Sequence, residues 1–207
     1  MSKDLKLIKV IFWDFDGVLM DSNAVRDLGF EKVLEEFPKE QVERLLNFHK
    51  ANGGLSRYVK FRYFFEEIRN EAITEDQILL WAERFSIIMK NLLVNPNLLI
   101  NETLDFVRQN QEKYRMHITS GSDQEELRYL CKSMSIENLF ESIHGSPKPK
   151  KQWVKELIDS HDYNINECVL IGDSVNDLEA AQFNGIHFYG YNNNNLTVYN
   201  TNLFKFL

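Results

Sequence analysis

The chain has 207 residues, 43% hydrophobic and 27% charged, with 31 acidic against 24 basic side chains and a formal net charge of −7. Its 15 Phe, 8 Tyr and 3 Trp exclude a disordered chain, and the acidic balance argues against a nucleic-acid binder, which needs clustered Lys and Arg. Two cysteines, Cys131 and Cys168, cannot make a disulfide framework or a zinc ribbon, and no apolar run suits a signal peptide or a membrane span, so a soluble cytoplasmic protein with reduced thiols is expected.

Leu7–Trp13 is short, β-branched and aromatic, and reads as a buried strand that ends in Asp14-Phe15-Asp16-Gly17. From Asp21 to about Asn95 the periodicity turns helical. Leu28, Val33, Leu34 and Phe37 keep three-to-four spacing, and Val42, Leu45, Leu46 and His49 repeat it. Asn52-Gly53-Gly54 breaks the run. The spacing then predicts one helix over Ser56–Asn70, with Tyr58, Tyr63 and Phe64 in its core, and another from Thr74 to about Leu93.

Beyond Pro96, helices alternate with strands. Helices are expected over Asn101–Gln111, Ser122–Met134, the end of Pro147–Asp159, and Asp177–Asn184. The strands are Tyr114–Thr119, Phe140–His144, Glu167–Ile171 and Ile186–Tyr189. Ser122 and Glu125 have the form of a capping box. Asn192–Asn202 reads as loop, and Leu203–Leu207 as a short apolar end that packs back. The alternation implies an α/β fold: a Rossmann-like parallel sheet core, residues 1–17 and 97–207, interrupted by an all-helical cap, residues 18–96.

Ligands of open α/β sheets bind at the carboxyl ends of the strands. Four polar groups fall there: Asp14 with Asp16, Ser120-Gly121-Ser122, the loop Lys148–Lys151, and Gly172-Asp173-Ser174. Carboxylates from two strands make an oxygen cage of the kind Mg²⁺ prefers, and a hydroxyl with backbone N–H groups at a helix start makes an anion site. The inventory is that of a magnesium ion beside a phosphate.

Asp14-Phe15-Asp16-Gly17-Val18-Leu19-Met20-Asp21-Ser22 resembles the first motif of the haloacid dehalogenase (HAD) superfamily of phosphohydrolases. Ile118-Thr119-Ser120-Gly121, the Lys loop and Gly172-Asp173-Ser174-Val175-Asn176-Asp177 follow in that family's order, with the insert where it places a helical cap. Gly54-Leu55-Ser56-Arg57 is similar to a substrate-contacting cap loop of its β-phosphoglucomutase and phosphoglycolate-phosphatase-like branch. The resemblance implies Asp14 as nucleophile, Asp16 as general acid-base, and Mg²⁺ held by Asp14, Asp173 and the backbone carbonyl of Asp16, with Asp177 either ligating it or orienting a bound water. It implies Ser120, Gly121 and Lys150 or Lys148 at the phosphate, Lys150 being preferred, and Arg57 at the substrate. Thr119 rivals Ser120, and Asp177 could serve only as a helix-start charge. The expected activity is Mg²⁺-dependent hydrolysis of a small phosphorylated metabolite, a sugar phosphate being one candidate, through an aspartyl-phosphate, by a monomer or homodimer that binds neither nucleic acid nor membrane. A phosphosugar mutase is the first alternative, but mutases of that branch carry a His twelve residues after the nucleophile, where this chain has Arg26, which cannot shuttle protons. A non-catalytic binding protein on the same fold is the second.

Overall fold

The computed structural model describes residues 7–199. Five parallel strands form one sheet: β1 (Val10–Trp13), β2 (Arg115–Asp123), β3 (Ser142–Ser146), β4 (Cys168–Gly172) and β5 (His187–Gly190), in the order β3-β2-β1-β4-β5. The four side chains of β1 feed both faces. Ile11 and Trp13 pack with Met116, Ile118 and Ile171 on one, while Val10 and Phe12 pack with Leu157, Leu170 and Ala181 on the other. Burial on both faces explains why the strand reads as a continuous apolar run rather than an alternation. The helices α5 (Asn101–Asn110), α6 (Gln124–Ser133), α7 (Lys150–Ser160) and α8 (Val175–Asn184) supply the crossovers. The expected α/β architecture is therefore the observed one. Cys131 and Cys168 are both buried free thiols.

Between β1 and α5 lie α1 (Asn23–Val33), α2 (Lys39–Ala51), α3 (Arg57–Tyr63) and α4 (Glu75–Leu93). They close around an aromatic cluster in which Phe30 meets Phe85 at 4.4 Å and Phe61 at 5.6 Å between ring centroids. The chain leaves and re-enters the sheet side by side: Asp21 N–H donates to the Leu98 carbonyl at 2.7 Å and Ile100 N–H to that of Leu19 at 3.0 Å.

Local departures from the sequence reading have physical causes. The helix expected over Ser56–Asn70 starts as read, with Ser56 as its N-cap, but after Tyr63 it widens into a π turn, Phe64–Ile68. Phe64, Phe65 and Ile68 are all buried, and the wider turn accommodates adjacent phenylalanines facing the core. Leu28 and Val59 are exposed rather than core. Tyr58 is also not core: its hydroxyl donates to Asp123 Oδ2 at 2.6 Å, tying α3 to the end of β2. Tyr63 stacks on Phe48 at 3.8 Å. Strand β2 runs on to Asp123, so Asp123, not Ser122, caps α6 by accepting from Glu126 N–H at 3.0 Å. The Ser122–Glu125 capping box does not form, because Ser122 still belongs to the strand and lies one residue before the N-cap. A 3₁₀ turn, Asn194–Tyr199, occupies part of the stretch read as loop. The expected packing of Leu203–Leu207 lies outside the described residues.

One prediction arises from the sheet. His117, buried in β2, meets Ser142 Oγ at 2.7 Å through Nδ1 and the Tyr163 hydroxyl at 3.0 Å through Nε2. Burial, only partly offset by Glu141, lowers its pKa to about 4. The unfolded chain takes up that proton near pH 6.5, so the stability contributed by neutral His117 is complete above that pH and is lost as pH falls towards 4. The loss is on the order of 3 kcal/mol. Melting temperature measured from pH 7.5 to 4.5 should fall, and His117→Asn should flatten the fall.

Candidate active site

The predicted polar groups converge at the carboxyl edge of the sheet, around the boundary of β1 and β4, where the direction of the chain's crossovers changes. Asp14 directly follows β1, its N–H donating to the Ile171 carbonyl at 2.9 Å. Its Oδ1 accepts from Phe15 N–H at 2.8 Å and lies 2.8 Å from Lys150 Nζ. Lys150 opens α7, and its Nζ also pairs closely with Asp177 Oδ1. Burial would lower the Lys150 pKa, but Asp14 and Asp177 together raise it above its ordinary value, so the ammonium stays charged. Lys148 instead pairs with Glu156 and lies over the Trp153 ring, 3.8 Å from its centroid. Between the two lysines left open by the sequence, the geometry brings Lys150 to Asp14.

Asp173 follows β4 and accepts from Asn23 Nδ2 at 3.2 Å. Asp177 stands one helical turn on, fully buried, with Oδ2 accepting from Ser174 N–H at 3.0 Å and Ser174 Oγ at 2.7 Å. The helix-start role foreseen for Asp177 is thus present, in a reciprocal cap with Ser174, and its second oxygen still faces Lys150. Asp14, Asp173 and Asp177 each bring one carboxylate oxygen within 4.8 Å of the others. Burial, then Asp177, pushes Asp173 up to about 7, and the same two causes raise Asp14 well above the usual carboxylate range. A largely buried, all-oxygen cluster in which Asp14 and Asp173 resist ionisation fits a hard divalent cation, which would offset the repulsion between the carboxylates. Gly17, at φ +75°, makes the turn after Asp16, and a Cβ there would collide with the Asp173 carboxylate.

Asp16 does not join that cluster. Its Oδ1 accepts from Arg26 Nε at 2.6 Å and from Ser22 Oγ, and its Oδ2 accepts from Ser122 Oγ at 2.5 Å. Burial alone would raise Asp16, but the Arg26 charge and these hydrogen bonds outweigh it and hold the carboxyl below its ordinary pKa.

Arg26 continues the network. Its Nη1 meets Glu126 Oε1 at 3.0 Å, and the other Glu126 oxygen accepts from Arg57 Nη1 at 2.6 Å. Arg57 also reaches Ser86 Oγ at 2.6 Å and lies over the Phe85 ring. Glu126 is fully buried. The Arg57 proposed for substrate is therefore engaged by Glu126, although it still lines the cavity.

That cavity, about 530 Å³, lies between the insert and the sheet edge. Asp14, Asp16, Ser120, Gly121 and Asp173 line its floor, and Arg26, His49, Arg57 and Lys60 its other wall. Ser120 borders the cavity; Thr119, its rival in the sequence reading, does not, and the Thr119 hydroxyl is buried without a partner. At Gly121 a side chain would strike the backbone of Gly54, so the absence of one lets the insert's glycine loop close onto the core.

Sequence reading did not single out Glu126, Asn23, Asn192 or Asn193. Glu126 precedes Leu127 and Leu130 on the buried face of α6, a placement that would have flagged it. The asparagines carried no such signal. Asn192 Nδ2 donates to the Gly17 carbonyl at 3.2 Å and Asn193 Nδ2 to the Asp173 carbonyl at 2.6 Å, so they brace two site loops.

A protein-family model described as haloacid dehalogenase-like hydrolase matches residues 10–191. The chain is 25% identical to a phosphoglycolate phosphatase of Aliivibrio fischeri, over 89% of this chain and 86% of that one. Among solved structures, β-phosphoglucomutase from Clostridium difficile superposes with a TM-score of 0.70 at 16% identity, covering 88% of this chain and 84% of the other. CbbY from Rhodobacter sphaeroides in complex with xylulose-(1,5)-bisphosphate gives 0.71 at 16% identity, covering 91% and 89%. The chain belongs to the haloacid dehalogenase-like hydrolase family. Within it, the curated relatives matched over most of the chain are phosphoglycolate phosphatases, and the chain is an enzyme of the phosphatase kind.

Proposed function

We propose that the protein is a Mg²⁺-dependent phosphatase that hydrolyses a small phosphorylated metabolite through an aspartyl-phosphate on Asp14. The observation that carries this reading is Lys150 bridging Asp14 and Asp177 beside Asp173, at one end of the sheet. When bound by Asp14, Asp173 and Asp177, Mg²⁺ would supply positive charge against the repulsion between a carboxylate and a phosphate dianion. Asp14 attacks phosphorus as the phosphorus–oxygen ester bond breaks, and the leaving oxygen takes its proton from Asp16 in its protonated form. Lys150 holds the Asp14 carboxylate in place, and Ser120 with the backbone around Gly121 receives the phosphoryl oxygens. As arranged, Asp16 is ionised and suited to take a proton from the water that hydrolyses the aspartyl-phosphate. To donate a proton in the first half-reaction it must first leave Arg26 and take up a proton from water, which the loss of the Arg26 charge favours.

Arg26, held charged by Asp16 and Glu126, does not release a proton at neutral pH and so cannot shuttle one between sugar hydroxyls, which favours transfer to water over the mutase alternative. The helical insert, 18–96, serves as a lid on the cavity.

A phosphate-release screen with Mg²⁺, begun with 2-phosphoglycolate, tests the reading. Turnover should vanish in EDTA and return with Mg²⁺. Isomer formation without net phosphate release would show a mutase, and binding without turnover a non-catalytic protein. In the same assay Lys150→Met should lower kcat/KM by roughly 10²- to 10³-fold. Lys148→Met, which removes a partly exposed ion pair, should change it by less than about two-fold.

A further inference from the structure

The insert side of the cavity carries one cation more than its nearby carboxylates neutralise. Arg26 and Arg57 are matched by Asp16 and Glu126. Lys60 has no carboxylate within ion-pair distance among the described residues. It is 3% exposed, and its Nζ makes a single hydrogen bond, 3.2 Å to the Gly53 carbonyl. An ammonium has three donors, and burying it with one neutral acceptor is unfavourable. Burial, then the Arg26 charge, accordingly lowers Lys60 to about 7. Arg26 shows the same deficit: its Nη2 is buried and has no partner. Both side chains line the cavity whose floor holds Asp14 and Ser120.

Two under-satisfied cationic donors therefore sit on the wall contributed by α1 and α3, while the phosphate-side groups sit on the wall contributed by the sheet. Resting on the phosphatase reading above, we propose that Lys60 and the free Nη2 of Arg26 bind a second anionic group of the substrate. They would thereby select phosphomonoesters that carry a carboxylate or a second phosphate over those with a neutral tail. The contrasting role for Lys60 is to prop the Gly53 carbonyl and shape the glycine loop, which would serve every substrate alike.

The test compares kcat/KM for 2-phosphoglycolate, a sugar bisphosphate and the neutral amide of 2-phosphoglycolate. The wild-type enzyme should prefer at least one doubly anionic compound to the amide by about 10- to 100-fold, the range of a charge-assisted hydrogen bond. Which compound it is distinguishes carboxylate from phosphate as the second group. Lys60→Met should erase most of that preference, chiefly through KM, with a melting temperature equal to or above that of the wild type because an under-satisfied buried charge is gone. No wild-type preference, or a loss in Lys60→Met shared equally by all three compounds, would overturn the proposal; the wild-type comparison decides alone if the variant does not fold. Release of phosphate from none of the compounds would overturn the phosphatase reading, and with it this inference.

Discussion

Asp14→Asn should reduce phosphate release by about 10⁴-fold or more, the scale on which loss of a nucleophile acts, and it should do so without unfolding the protein. The amide keeps the shape of the carboxylate and can still accept from Phe15 N–H, but it cannot displace an alkoxide from phosphorus. The expected effect on stability runs the other way. Burial and the charge of Asp177 raise the Asp14 pKa in the folded state, so the fold favours the protonated carboxyl. For such a group, stability is fully present below the unfolded carboxylate pKa and is lost as pH rises through the folded value. At neutral pH an uncharged side chain at this position removes repulsion within the acidic cluster, and Lys150 retains Asp177. Melting temperature at pH 7 should therefore be unchanged or higher. Inactivity with a lowered melting temperature would mark Asp14 as structural instead.

Glu126→Ala should cause the largest loss of stability. Glu126 is the one carboxylate shared by Arg26 and Arg57, and all three side chains are buried. Removing it leaves two buried guanidinium groups short of a counter-ion, Arg26 keeping Asp16, and Arg57 keeping the Ser86 hydroxyl and the face of Phe85. Breaking a buried ion pair in this way costs about 3–5 kcal/mol. For a chain of this size that corresponds to a melting temperature lower by roughly 10 °C. Because Glu126 belongs to α6 while Arg26 and Arg57 belong to α1 and α3, the insert would also lose two ion pairs that tie it to the core, and KM should rise. Glu126→Gln keeps the shape and one acceptor, and should lie between wild type and Glu126→Ala. A loss below about 1 kcal/mol for Glu126→Ala, as for exposed pairs, would show the network to be open to water.

The fold was legible because its signals are local and repeated. The run Val10–Trp13, the turn residues after each strand and Gly185 at φ +66° each depend on neighbouring residues, and helix–strand alternation then left a parallel sheet as the simple arrangement. The polar groups at strand ends were legible for the same reason, since topology places every such end on one rim. Pairings between side chains were not. Nothing near Asp16 announces that Ser22, Arg26 and Ser122 will converge on it, because those partners lie 6, 10 and 106 positions away and only the folded chain assembles them. The engagement of Arg57 by Glu126 was hidden likewise: an arginine after a glycine loop reads as an anion ligand until its own counter-ion is seen. Ser122 misled for a complementary reason. Its sequence suits a capping box, but strand β2 runs one residue further than the pattern suggests, so Asp123 takes the N-cap position of α6 and Ser122 is left to donate to Asp16.

The account stands on Asp14 as the group that carries the phosphoryl moiety. A single turnover of substrate with Mg²⁺, quenched in acid, reduced with borohydride and mapped by mass spectrometry, measures this directly, since reduction converts an aspartyl-phosphate to homoserine at its own position. The modification should fall on Asp14 alone, form no more slowly than phosphate is released, and be absent from Asp14→Asn. Release of phosphate in the first turnover with no modified Asp14, or with modification at another carboxylate, would contradict the account.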